Sequence, residues 1–307
     1  MKVAITGATG LVGQRLVDRL YKSHELLIFT RSEAKAQKVF PASRYDQLEI
    51  VVYQPKVSGA WQQKISGCDA VINLAGAPIA EQRWTDSYKQ EILASREMGT
   101  AKIVEAIAKA ETKPKVLINT SAVGYYGASD TAVFDETSTP GEDFLAEVCK
   151  KWETAAEKAK DCGTRVVILR FGIILAKEGG ALAKMLMAFN TFVGGPLGTG
   201  KQWVSWIHRD DLVSLIEMAL TRNDWQGAFN GTAPNPVTMQ ELSANLGEVI
   251  SRPSWLPVPG FVLELLLSDG AKVVLEGQKV LPKRTEESGF SFKFPTVKAA
   301  LIDLLKH

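Results

Sequence analysis

The chain opens on MKVAITGATGLVG, and no other stretch restricts its fold as strongly. Val3, Ala4 and Ile5 form a short apolar run that suits a strand buried on both faces. Gly7, Gly10 and Gly13 follow, and Leu11, Val12, Leu16, Val17 and Leu20 then recur at helical spacing. Strand, glycine turn and helix in that order make the geometry that receives a dinucleotide pyrophosphate. The first glycine permits the tight turn, the second lets backbone approach the phosphates, and the third lets the helix pack on the sheet. N–H groups at the helix start then face the anion. A glycine-rich turn without a ligand could carry the same letters; the position directly after the first strand favours the nucleotide.

Further strands are expected at Glu25–Thr30, Leu48–Tyr53, Cys68–Leu74, Lys115–Asn119 and Thr164–Phe171, with helices over Trp84–Ala110 and Phe144–Lys160. Strands alternating with helices predict an α/β fold with a doubly wound parallel sheet, the NAD(P)-binding Rossmann arrangement. The alternation breaks down beyond Ala176, where Gly194 to Gly200 is too glycine-rich for a core element. We therefore expect a dinucleotide-binding domain over 1–175, to which 206–230 returns, and a smaller C-terminal α/β lobe from 176–205 and 231–307. Asp210 or Asp211 is expected to cap the helix that runs to Leu220. Thr238–Ile250 and Thr296–Leu305 have helical periodicity within the lobe.

The end of the second strand selects the cofactor. A fold that prefers NAD places an Asp or Glu there to accept from the ribose 2′-hydroxyl, and this chain reads Thr30-Arg31-Ser32, with Lys35 a turn later. A carboxylate would repel a 2′-phosphate, whereas Arg31 can pair with it in a planar fork. NADP(H) is the expected cofactor. Small residues in Asn73-Leu74-Ala75-Gly76 let it lie against the backbone.

The pattern Thr6-Gly7-x-x-Gly10-x-x-Gly13, continued by Asn73-Leu74-Ala75-Gly76 and by later segments over nearly the whole chain, resembles the extended and atypical short-chain dehydrogenase/reductases. The closest resemblance is to a subgroup called epimerase-like, also labelled cell-division-inhibitor-like in bacteria, with a plastid-division relative in plants. Val274 to Arg284 matches a C-terminal segment of that subgroup. The resemblance implies cofactor contacts from Gly7, Thr9, Gly10, Leu11, Val12, Thr30, Arg31, Leu74, Ala75, Gly76, Glu91, Arg96 and Ile174. Glu91 and Arg96 could equally form a pair on a solvated face. It also implies that Ser121 bonds the reacting oxygen and that Tyr126 lines the substrate pocket; a turn serine and a packing tyrosine are the alternatives.

Hydride transfer at a carbon bearing oxygen needs a group that gives or takes a proton. The superfamily uses a tyrosine with a lysine four residues later. Here the residues four after each tyrosine are Glu25, Glu49, Val57, Ile92, Ser129 and Asp130, so the pair is absent. Counting back from Glu153, Leu145 stands at the tyrosine position and Cys149 at the lysine position, both on the apolar stripe of their helix. Cys149 reads as a reactive thiol or as a buried core cysteine. His208 reads as an acid or base, or as a histidine fixing a loop. Lys279, Lys283 and Arg284 read as an anion site or as a solvated basic face.

Net charge is +2, with Lys and Arg scattered, so no nucleic-acid-binding face is expected. No apolar run approaches a membrane-spanning length. Three cysteines without C-x-x-C spacing and three dispersed histidines argue against disulfides and a metal site. With a first strand that begins at once and leaves no room for a leader, the expected location is the cytoplasm. Two function classes remain. One is an NADP(H)-dependent, epimerase-like oxidoreductase acting on an unidentified small polar substrate. The other is a weakly active or inactive NADP(H)-binding regulator, linked to cell division and to a protein partner.

Overall fold

The structure is a computed structural model that describes residues 1–306. The first half alternates as expected: β1 (Lys2–Thr6), α1 (Leu11–Leu20), β2 (Glu25–Thr30), α2 (Glu33–Val39), β3 (Leu48–Val52), β4 (Ala70–Asn73), α3 (Asp86–Lys109) and β5 (Val116–Ala122). A short strand β6 (Val133–Phe134), helix α4 (Phe144–Glu157) and strand β7 (Arg165–Phe171) follow, then β8 (Ile173–Leu175) and α5 (Gly180–Asn190). The remainder holds β9 (Trp203–Val204), β10 (Trp206–His208), α6 (Arg209–Thr221), β11 (Gly227–Gly231), α7 (Met239–Ile250) and α8 (Gly260–Leu267), and ends on a helix over Val297–Lys306.

Seven parallel strands form the central sheet in the order β11-β7-β5-β4-β1-β2-β3. The chain starts in the middle, moves outward through β2 and β3, and crosses back to build the other half. The strand order therefore reverses between β1 and β4, which opens a crevice beyond their carboxyl ends. Period-two alternation divides each strand between two cores. Val3 and Ile5 pack with Leu16, Leu20, Leu212 and Ile216 on the α1/α6 face. Ala4 and Val71 pack with Ile103, Ile107 and Ala156 on the α3/α4 face. Burial on both faces is why these strands read as continuous apolar runs.

The edge strand β11 was not expected, because GAFNG carries no β pattern of its own. It forms by parallel pairing with β7, from Gly227 opposite Val167 to Gly231 opposite Phe171. The later elements share a core of Leu182, Phe189, Trp206, Leu246 and Leu301. Beyond α8 the chain folds over the carboxyl edge of the sheet: Trp84 N–H donates to the Leu267 carbonyl at 3.2 Å, and the Trp84 indole packs on Gly270.

The expected aspartate cap of α6 is corrected. His208 is the N-cap residue, and its Nδ1 accepts from the Asp210 N–H at 3.0 Å. Both aspartates have stronger tertiary donors. Asp210 takes Arg15 Nε and Nη2, each at 2.8 Å, and Asp211 accepts from the backbone N–H groups of Lys293 and Phe294, each at 2.9 Å.

This cap has a pH signature. His208 is buried, and burial holds its pKa below the usual value even though Asp210 and Asp303 act in the opposite direction; Arg209 and Lys293 lower it further. The unfolded chain therefore takes up this proton before the folded one. The contribution is complete above the unfolded value, about 6.5, and is lost as pH falls below it. His208→Asn keeps a capping acceptor and removes the titration. Its urea midpoint should fall less than that of the parent chain between about pH 7 and pH 5; parallel slopes would exclude the assignment.

Candidate functional site

Glycine builds the floor of the crevice. Gly7 has φ +69, and a Cβ there would stand 2.7 Å from the Leu74 carbonyl carbon. A Cβ on Gly13 would stand 2.5 Å from the Ala8 Cα. Gly10 starts α1 with no side-chain cap and no acidic residue in the first turn. The first N–H groups of the helix thus lack a side-chain acceptor, and Leu11, Val12 and Gly13 line the cleft. This cradle fits a diphosphate: backbone donors, the positive end of a helix, and no side chain in the way.

The cleft runs from that cradle across β4, β5 and β7 and encloses about 650 Å³. Leu74, Gly76, Arg96, Ser121 and Ile174 stand on its wall. Thr9, Thr30, Arg31, Ala75 and Glu91 do not. Thr30 ends β2 and Arg31 follows it, on the opposite side of β1 from β4 and β5. The Thr30 hydroxyl donates to the Ser32 carbonyl at 3.1 Å and tightens the turn there. Arg31 and Lys35 project into solvent. Glu91 ion-pairs with Lys56 at 2.6 Å and leaves Arg96 without a carboxylate. Arg96 instead donates to the Ile92 and Ala77 carbonyls at 3.0 and 2.9 Å and lies over the Trp152 ring. Burial lowers the pKa of its guanidinium.

Behind Ser121 lies a buried chain of polar groups. Ser121 Oγ donates to Glu153 Oε1 at 2.6 Å. Arg170 clamps Glu153 with Nε and Nη2 at 2.9 and 2.8 Å, and its Nη1 donates to the Tyr126 hydroxyl at 2.9 Å. Tyr126 donates in turn to Asn230 Oδ1 at 2.7 Å. Burial opposes the Arg170 charge, but the bonds and charge of Glu153 outweigh it and raise its pKa. Ser121 lines the cleft and is only 1% exposed; its proton is committed to a carboxylate, so any further bond that its Oγ makes is one it accepts.

Tyr126 as a wall of the substrate pocket is therefore corrected. Its ring stacks on Phe134, its hydroxyl is consumed between Arg170 and Asn230, and burial pushes its pKa up to about 12. Leu145 and Cys149 do face the cleft, beside Val148 and Trp152. The Cys149 thiol is buried and donates to the Ala122 carbonyl at 3.7 Å. Burial, helped by the charge of Glu153, pushes it up to about 11, so it is a thiol and not a thiolate at neutral pH. Lys151 is turned outward and pairs with Glu147 at 2.8 Å.

His208 lies in the α6 cap, away from the cleft wall. Arg284 is tied to the Ala228 and Gln226 carbonyls at 3.0 and 2.8 Å, and Lys279 sits 4.4 Å above the Trp203 ring. No group of His, Cys, Asp and Glu that could hold a metal occurs among the described residues. Sequence reasoning missed the Arg170 clamp and the roof of the cleft, formed by Ile79, Trp84, Asp269, Val273 and their neighbours. The one available signal was an arginine near the end of an otherwise apolar strand, TRVVILRF.

Residues 3–230 match the NAD dependent epimerase/dehydratase family, and residues 258–304 match a domain of unknown function, DUF1731. A chloroplastic SDR39U1 homolog described as an epimerase family protein, from Arabidopsis thaliana, is 52% identical over 98% of this chain and 86% of its own length. The epimerase family protein YfhF of Bacillus subtilis is 38% identical over 99% of this chain and 98% of its own. The crystal structure of the human epimerase family protein SDR39U1 (isoform 2) with NADPH superposes with a TM-score of 0.89 at 34% identity, covering 100% of both chains.

The clamp has a measurable asymmetry. Side chains of Arg170 and Glu153 are only 5% and 10% exposed. Arg170→Met strands a buried carboxylate and should destabilise the chain by about 3–5 kcal/mol, whereas the Glu153→Leu/Arg170→Met pair should cost far less. Equal losses in urea unfolding would contradict this account.

Proposed function

Because the chain belongs to the NAD dependent epimerase/dehydratase family, we propose that it binds NADP(H) and acts as an epimerase-like oxidoreductase. The observation that carries this reading is the order of three features along the carboxyl edge of the sheet: Arg31 after β2, the glycine cradle after β1, and Ser121 near the end of β5. Backbone N–H groups of α1 would hold the diphosphate. Arg31, with Lys35 beside it, would pair with the 2′-phosphate. Leu74, Gly76, Arg96 and Ile174 would border the rest of the coenzyme, which when bound supplies or accepts a hydride at its nicotinamide ring. The NADPH in the human relative supports the choice of coenzyme.

Ser121 is the side chain best placed to handle the proton. A substrate hydroxyl can donate to its Oγ, and as that proton arrives the serine's own can pass to Glu153 Oε1. Glu153 is held for this by both arms of Arg170. The route replaces the tyrosine–lysine pair, whose places are taken by Leu145 and Cys149. Those two apolar positions also favour a second reading, a coenzyme-binding regulator without turnover that acts on a protein partner. The relatives described above are named as epimerase family proteins, and the regulator reading needs no link to division. Among the described residues no helix is long and apolar enough to cross a membrane. All three cysteines are free, which fits a reducing compartment such as the cytoplasm.

In titration calorimetry, Arg31→Asp should weaken NADPH by about 30-fold or more through lost pairing and new repulsion, and NADH by less than about threefold. Equal losses for the two would reject the 2′-phosphate assignment. A crystal grown with NADPH separates enzyme from regulator. Open space between the reduced ring and Ser121 supports turnover, and a ring closed off by the Leu145 side chain supports the regulator.

A further inference from the structure

We infer that the substrate held against Ser121 is a secondary alcohol, or its ketone, on an apolar ring-sized skeleton, and not a small polar molecule or a sugar. The inference rests on the coenzyme reading above and concerns the end of the cleft beyond the coenzyme.

That end is walled by a hydrophobic cluster. Ile79, Trp84, Phe144, Leu145, Val148 and Val273 pack together and face the cavity. Trp84 and Phe144 meet edge to face with ring centroids 5.4 Å apart, which gives the pocket flat aromatic sides suited to a ring. The indole N–H groups nearby are already satisfied within the protein, and the polar side chains that also line the cleft, Arg96, Asp143 and Gln278, stand outside this cluster. Trp84 Nε1 donates to the Ile79 carbonyl at 2.8 Å, Trp152 Nε1 to Thr100 Oγ1 at 2.9 Å, and Trp203 Nε1 to the Asp130 carbonyl at 3.0 Å. Lys89 is paired with Asp269. Lys272 and Glu276 are exposed at the rim.

A polyhydroxylated ring placed against this cluster would give up water at each hydroxyl that faces it and find no partner there, losing roughly tenfold or more in affinity for each one. An apolar ring would instead exchange water for aliphatic and aromatic contacts. One polar function remains to be matched. Ser121 offers lone pairs because its O–H is donated to Glu153, so the group it receives is a donor, the hydroxyl of an alcohol. During turnover the carbinol C–H leaves as hydride to NADP⁺ and the O–H proton passes to Ser121 as the serine proton passes to Glu153. The C–O single bond becomes the ketone, and the reverse reaction draws on NADPH and protonated Glu153.

The test uses the full chain loaded with NADP⁺ and two probes, 1-tetralol and UDP-glucose, followed by saturation-transfer NMR and calorimetry. The expected result is that 1-tetralol binds at least tenfold more tightly than UDP-glucose. Leu145→Gln or Val273→Asn should weaken it about tenfold while NADP⁺ affinity stays within about twofold. UDP-glucose binding as tightly as 1-tetralol, no 1-tetralol binding, or 1-tetralol binding unmoved by either variant would each overturn the inference. The comparison of the two probes on the parent chain decides the matter even where a variant fails to fold. Absence of NADP⁺ binding would instead remove the coenzyme reading on which this one stands.

Discussion

The site depends first on how closely two pieces of backbone approach each other. Gly7 faces the Leu74 carbonyl, and Gly13 faces Ala8, at distances that leave no room for a methyl group. These contacts press α1 onto the ends of β1 and β4, so that the open end of the helix points into the crevice at the switch in strand order. A side chain at either position would lift the helix, and the anion cradle and cleft floor would separate together. The parallel pairing of β1 with both β2 and β4 then places Arg31, after β2, and Ser121, on β5, on opposite sides of the cradle.

A second constraint governs the Ser121 end. Glu153 on α4 and Arg170 on β7 form an ion pair almost out of water, and desolvation makes such a pair costly unless every polar atom is used. Here every partner has a further task. Glu153 orients Ser121 on β5, Arg170 fixes Tyr126, and Tyr126 holds Asn230 on β11. Asn230 Nδ2 donates to the Leu281 carbonyl at 2.9 Å, and its backbone N–H donates to Glu136 at 2.9 Å. The Glu136 carboxylate also accepts from the Arg284 N–H at 3.0 Å. The C-terminal segment is thereby tied to the same network that sets the direction of the serine proton.

Much of the sheet could be read from the chain because each central strand is a local apolar run and the glycine turn is a local pattern. What escaped was set by contacts distant in sequence. β11 exists only through its pairing with β7, and the roof over the cleft forms where Gly270 meets Trp84. His208 displaced two aspartates as the cap of α6 because Arg15 and the Lys293–Phe294 backbone had already claimed them. Tyr126 adjoins the pocket segment in sequence, yet Arg170 on β7 and Asn230 on β11 engage its hydroxyl and leave it off the cleft wall. Of the residues implied around the coenzyme, Glu91 went to Lys56, a partner on a loop that no helical spacing could reveal.

The loss of a tyrosine–lysine pair has a physical counterpart elsewhere in the site. A lysine at position 149 would bring a buried cation beside Arg96, which already lacks a carboxylate; Cys149 avoids that repulsion and its desolvation cost. A tyrosine at 145 would place a polar hydroxyl in the cluster around Trp84 and Val148. With both positions apolar, the polar group that α4 orients beside them is Ser121, held by a carboxylate that a guanidinium keeps in place. On the proposed reading such a wall would discriminate by what it leaves unpaired: it would accept a ligand with one hydroxyl aimed at Ser121 and penalise each additional one that faces it. The same apolar lining that removes the usual proton donor is therefore what would give the cleft its selectivity.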